Sequence, residues 1–245
     1  MGELIAVLSG KGGTGKTSLC AGLSTALAQM GKKVLCIDCD IGLRNLDISL
    51  ALSDSGALSF VDVYRGGYQL SQASVHESFP NLYFLTAPVN LQAEKVDQKA
   101  FSAMLRQAKR EFHYVFLDAP AGLDAGFQLC AKHADRVILV TNPEPSAIRD
   151  AARTGQELER MKKHSVRIIV NRVRKKLLDV TKRTIDDVMD ESGLPLLGVV
   201  PEDENVTLAA AFETPLLKYT KKGAAAACIR IAKRIHGLPV PIDLR

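Results

Sequence analysis

A chain of 245 residues, 47% of them hydrophobic, is long enough for one large α/β domain with a sizeable core. Its net charge of +5 permits contact with an anionic surface without requiring it, and with no tryptophan and aromatics at 5%, stacking platforms for single-stranded nucleic acid are not expected. The cysteines (Cys20, Cys36, Cys39, Cys130 and Cys228) form an odd, scattered set that reads as reduced thiols of a cytosolic protein. Cys36-Ile37-Asp38-Cys39 is formally C-x-x-C, but no second pair or histidine cluster accompanies it, so it is assigned no metal or redox chemistry. No apolar run approaches the roughly 20 residues that span a bilayer, and no signal peptide is expected, because the N-terminus runs straight into a core strand.

The first predicted strand covers residues 4–8 and the first helix residues 18–30. Between them, Gly10, Gly15, Lys16 and Thr17 fit the phosphate-binding spacing G-x-x-x-x-G-K-[ST]. Gly10, Gly12, Gly13 and Gly15 have no Cβ, so backbone N–H groups can close around phosphate oxygens while the helix points its positive end at the same anion. Lys16 is placed to reach the β- and γ-phosphates and the Thr17 hydroxyl to ligate Mg²⁺. Lys11 is a second lysine where the general pattern accepts any residue.

A strand at 33–37 follows Gly31 and delivers Asp38 and Asp40. Two carboxylates at i and i+2, at the carboxyl end of a strand in a doubly wound fold, lie where ligands bind. Asp38 suits a Mg²⁺-bound water and Asp40 the attacking water, although both could instead cap the loop. A short helix at 59–65, a break at Gly66-Gly67, a strand at 81–85 and a helix at 97–112 follow; Phe101, Leu105, Ala108 and Phe112 share one helical face and read as core.

The strand 114–118 ends in Asp118, the Walker B arrangement that supports Mg²⁺. Ala119, not Glu, comes next, which returns the water-positioning role to Asp40; the turn Ala119-Pro120-Ala121-Gly122 is placed to sense the γ-phosphate. Beyond it are a helix at 124–133, a strand at 136–141, a helix at 146–163, a strand at 167–170, a helix at 179–191 closed by Gly193, a strand at 196–200 and an Ala-rich helix at 222–235. Asn171 and Arg172, and then Pro201 and Asp203, follow strand ends where they can touch an adenine. No repeat, linker or boundary interrupts residues 1–245, so one P-loop NTPase domain is expected, with a mostly parallel, doubly wound sheet flanked by helices.

These residues resemble the MinD/ParA superfamily of deviant Walker A ATPases, closest to its MinD branch of septum site-determining ATPases. The resemblance rests on the loop from Lys11 to Thr17 and on Asp38-Cys39-Asp40-Ile41-Gly42-Leu43-Arg44-Asn45-Leu46-Asp47. Motifs at 118–122, 141–150, 169–172 and 197–203 continue it in the right order over nearly the whole chain. It implies a slow, partner-stimulated ATP hydrolase using ATP, ADP and Mg²⁺. Phosphate and nucleotide would be held by the loop through Thr14 and Ser18, metal by Thr17, Asp38 and Asp118, and chemistry by Lys11, Lys16 and Asp40. Two subunits would sandwich two ATP molecules, with Lys11 reaching the partner's nucleotide, and ADP would return the monomer. Activating (MinE-like) and effector (MinC-like) proteins are implied, as is a cytoplasmic protein that can be recruited to the inner face of the cell membrane.

Three features depart from the family pattern. Thr14 and Ser18 replace residues usually written Val and Thr, and Ala119 stands where the MinD branch commonly has Ser. The basic amphipathic tail helix that usually inserts into anionic membrane is not expected, since Pro239 and Pro241 forbid a helix over 236–245. Ile229 and Ile231 lie about 200° apart at 3.6 residues per turn, so no single apolar face is expected for lipid, and the helix at 222–235 is expected to pack on the domain instead. A ParA-like, DNA-binding or cargo-positioning ATPase is the alternative, motivated by Arg172, Arg174, Lys175, Lys176, Lys182 and Arg183. An iron–sulfur carrier of the same superfamily is disfavoured, because Cys130 and Cys228 stand alone.

Overall fold

The computed structural model describes residues 1–53, 56–89 and 91–242. Its frame is one eight-stranded sheet, β1 (Glu3–Leu8), β2 (Val34–Asp38), β3 (Ser74–His76), β4 (Phe79–Leu85), β5 (Tyr114–Asp118), β6 (Arg136–Thr141), β7 (Val166–Val173) and β8 (Leu196–Pro201). The spatial order is β3-β4-β2-β5-β1-β6-β7-β8, and every pairing is parallel except the β3–β4 edge. Successive strands leave β1 first toward β2 and later toward β6, so the order reverses at β1, and in such sheets the crevice at that reversal holds the ligand.

Both faces of the sheet are apolar, as parallel strands require. Leu4, Ala6 and Leu8 face one layer of core; Ile5 and Val7 face the other. The first layer is closed by α3 (Phe60–Tyr64), α4 (Gln98–Glu111), α5 (Ala125–His133), α6 (Pro145–Arg160) and α8 (Ile185–Ser192), preceded in the chain by α1 (Lys16–Gln29) and α2 (Leu46–Leu50) and, before α8, by α7 (Lys175–Thr181). The second is closed by α1 and α2 together with α10 (Leu216–Tyr219) and α11 (Gly223–Ile235), reached through α9 (Asn205–Ala211). Gly22 lets α11 come close to α1, since a Cβ there would stand 2.8 Å from Cys228 Sγ. Among the described residues no helix is long and apolar enough to cross a membrane.

The long elements fall where periodicity places them. Phe101, Leu105, Ala108 and Phe112 are buried, and Asp97 caps α4 by accepting from Lys99 and Ala100 N–H. Three expectations need correction. The helix expected over 179–191 is two: Lys182 turns left-handed at φ 53°, and Thr184 and Asp187 then form a reciprocal capping box that starts α8. The strand expected to stop at residue 170 runs on to Val173 through a bulge, with Arg172 at φ 55°, so Asn171 and Arg172 lie within β7. Finally, α11 does have a coherent apolar face, built from Ala224, Ala225, Cys228, Ile231, Ala232 and Ile235, and it is turned inward against α1 and β8. The pair Ile229 and Ile231 missed that face because small residues carry much of it; packing on the domain is nonetheless what occurs. Residues 238–242 form no helix, and the rest of the expected non-helical tail lies outside the described residues.

Candidate nucleotide site

The loop between β1 and α1 sits at the carboxyl edge of the sheet, at the reversal. Gly10 is pressed against α6, where a Cβ would meet Thr154 Oγ1 at 2.5 Å and Asp150 O at 2.6 Å. Gly12 and Gly13 face open space, and Gly15, at φ 88°, takes the left-handed turn that starts α1. No side chain caps α1, so its first N–H groups and its positive end are left for an anion. Lys16 is buried at the helix start, while Thr17 and Ser18 are half-buried beside it. The buried Thr14 Oγ1 has no partner, whereas Thr14 O accepts from Asn171 Nδ2 at 2.8 Å.

Asp38 and Asp118 are register partners at the ends of β2 and β5, both fully buried. Asp38 Oδ1 accepts from Asp40 N–H (2.9 Å) and Oδ2 from Leu46 N–H (3.2 Å), which ties the strand end to α2. Burial and then the neighbouring Asp118 charge raise the Asp38 pKa to about 7. Burial raises that of Asp118 to about 6, against the pull of Lys16. Neither Asp118 oxygen has a hydrogen-bond partner within 3.5 Å, although the Thr17 hydroxyl stands close enough to pull its pKa down. Two buried carboxylates side by side, one with no donors, fit a cation that keeps its own waters. No group of three or more His, Cys, Asp or Glu that could hold a metal ion occurs among the described residues.

Asp40 is half-buried and caps the next turn, its Oδ1 accepting from Leu43 N–H at 3.3 Å. The turn after Asp118 is stitched to the phosphate loop, with Gly122 N–H donating to Ser9 O at 3.2 Å. Lys11 does not wait free in the single chain. Its Nζ donates to Ser146 Oγ at 3.1 Å and pairs with Glu144 at 3.4 Å, at the Pro145-opened start of α6. Sequence reasoning missed these two partners. The only signal was the family motif across 141–150, which names the turn without saying what it holds.

On the other side of the loop, Gly15, Ser18, Asn171, Arg172, Pro201 and Asp203 line one cleft. Their roles within it differ. The Asn171 side chain braces the loop, and a Cβ on Gly15 would fall 2.2 Å from its Nδ2. The Asp203 carboxylate is already occupied, Oδ1 by Asn205 and Oδ2 by Ala224 N–H at the start of α11. Arg172 is exposed at the cleft mouth.

The CobQ/CobB/MinD/ParA nucleotide binding domain matches residues 5–216. The septum site-determining protein MinD of Bacillus subtilis is 38% identical over 248 residues, covering 100% of this chain and 92% of that protein. The MinC:MinD cell division protein complex of Aquifex aeolicus superposes with a TM-score of 0.91 at 33% identity, over 98% of each chain. The septum site-determining protein of Pyrococcus horikoshii, complexed with Mg-ADP, superposes at 0.83 with 32% identity over 96% of each chain.

Proposed function

The chain belongs to the CobQ/CobB/MinD/ParA nucleotide-binding family of ATPases, on its MinD side, and we propose on that premise that it is a Mg²⁺-dependent, nucleotide-switched regulator of septum placement. The observation that carries the reading is the convergence, at one reversal of the sheet, of an uncapped helix start behind an open glycine loop and a buried carboxylate with no partner. ATP and ADP are its nucleotides, as the Mg-ADP complex of the Pyrococcus horikoshii relative supports.

Loop N–H groups and Lys16 hold the phosphates, and Thr17, Asp38 and Asp118 would hold Mg²⁺. When bound, Mg²⁺ neutralises charge on the phosphate oxygens. Asp40 orients the attacking water and takes its proton, since Ala119 leaves no carboxylate after Asp118 to do so. The base lies in the cleft lined by Arg172 and Pro201.

Lys11 acts in trans in an ATP-bound dimer, on the partner's nucleotide, an element worth roughly 10³–10⁵ in rate where an arginine finger does the same job. To do so it must leave Glu144 and Ser146. That release costs little, because the pair is open to solvent, its side chains 41% and 62% exposed, and such pairs contribute about 0–1 kcal/mol. Hydrolysis is slow alone and faster with a MinE-like activator. A MinC-like effector reads the ATP state, a proposal that the Aquifex aeolicus complex supports.

Nucleotide titration and turnover assays on three proteins test the reading. Wild type should bind and hydrolyse Mg-ATP. Lys16→Ala should lose binding, and Asp40→Ala should bind ATP but turn over about 10²-fold more slowly or worse. Unchanged turnover in Asp40→Ala would remove Asp40 from the chemistry.

A further inference from the structure

Between α7 and the β7–β8 end of the sheet lies a groove of about 640 Å³ that shares Pro201 and Glu202 with the cleft assigned to the base but is otherwise unused by the nucleotide reading. Its apolar lining is Val173, Leu177, Val180, Val199 and Pro201. None of the residues of α7 is fully buried. Leu178 leans on the core, while Leu177 and Val180 are 50% and 81% exposed. An amphipathic helix that keeps two large aliphatic side chains in water, over a concave apolar floor, is an unpartnered surface.

The rim is cationic. Lys175 and Lys176 line it directly, and Arg172 and Lys182 stand at either end of the same segment, all four exposed and without an ion pair among the described residues. Asp179 is the one acidic residue between 172 and 183. Arg174 and Arg183, by contrast, are partnered by Glu202 and Glu191. An apolar trough edged by unpaired cations is complementary to a helix with leucine-like side chains on one face and carboxylates beside them. Duplex DNA would engage the cations but presents no apolar ridge to fill the trough.

We propose that this groove docks an acidic, amphipathic segment of a partner protein, whose apolar side chains enter the trough and whose carboxylates meet Lys175, Lys176 and Lys182. The site is independent of the ATPase reading, although Pro201 and Glu202 also line the base cleft, so the two surfaces abut.

The test uses the full chain and a labelled synthetic helix with Leu on one face and Glu elsewhere, followed by fluorescence anisotropy. Polyglutamate of equal length, phosphatidylglycerol vesicles and duplex DNA are the comparison probes. The Leu/Glu helix should bind at least tenfold more tightly than polyglutamate. Leu177→Ser/Val180→Ser and Lys175→Glu/Lys176→Glu should each weaken it at least tenfold. Both pairs are exposed, and unchanged far-UV circular dichroism and thermal melting should show the fold intact. Equal affinity for polyglutamate, or insensitivity to the Leu177/Val180 change, would reduce the groove to a charged patch and overturn the proposal. So would capture of vesicles or DNA through Lys175 and Lys176 with no binding of the helix.

Discussion

Asp38 and Asp118 carry a cost of building the candidate site. Both carboxyls hold their protons above the ordinary aspartate value of 3.8, at about 7 and about 6, chiefly through burial. The folded chain therefore binds more protons than the unfolded one between about pH 4 and 7, and the stability of metal-free protein falls as pH rises through that window. The effect is a few kcal/mol at most, as an order of magnitude. Urea unfolding in EDTA should show Asp118→Asn more stable than wild type at pH 7.5, with the gap closing by pH 4.5, and the variant should lose the stabilisation that Mg-ATP gives wild type. A gap that instead widens toward low pH would contradict the account. At Lys11, Glu144→Ala frees the ammonium at little cost in stability. ATP-dependent dimerisation of that variant should start at lower protein concentration, read by light scattering; a weakened dimer would mean that Glu144 belongs to the dimer contact rather than to a monomer latch.

The elements explain which parts of the candidate site's arrangement were legible in the sequence and which were not. The phosphate loop could be read because glycine spacing, a strand before it and a helix after it are local, and Asp118 because a run of apolar residues ended in one carboxylate. Asn171 was read as facing an adenine; its bond to Thr14 O joins positions far apart in the chain, which no local pattern records. The bulge at Arg172 and the left-handed Lys182 were missed because both are non-glycine residues at positive φ. The capping box at Thr184 was visible as T-x-x-D and marks the true start of α8. The inward face of α11 was hidden in alanines. At this scale Gly15→Ala is the sharpest test. Its φ of 88° and the neighbouring Asn171 leave a methyl group no unstrained place, so nucleotide affinity should drop at least tenfold in a titration with ADP, whereas Gly31→Ala, also left-handed at φ 77° but with no neighbour within 4 Å and far along the chain from the loop, should cost stability and leave affinity unchanged.

Across the whole molecule, the sheet brings the turn after Asp118, the Asp40 loop and the start of α6 to one edge; the turn bonds to the phosphate loop, the start of α6 to Lys11, and the Asp40 loop to the end of β5 through Cys39 N–H and Asp118 O. On the proposed function, a γ-phosphate held by the loop would lie at this edge, and one ligand group would bias the surface on which a second copy docks. The measurement that tests this most directly is the solution mass of Asp40→Ala, which should retain ATP unhydrolysed, by light scattering with Mg-ATP and with Mg-ADP. The account predicts twice the monomer mass with Mg-ATP and the monomer mass with Mg-ADP, with Lys11→Ala monomeric in both. The same mass in both nucleotides, or a Lys11→Ala dimer with Mg-ATP, would contradict it.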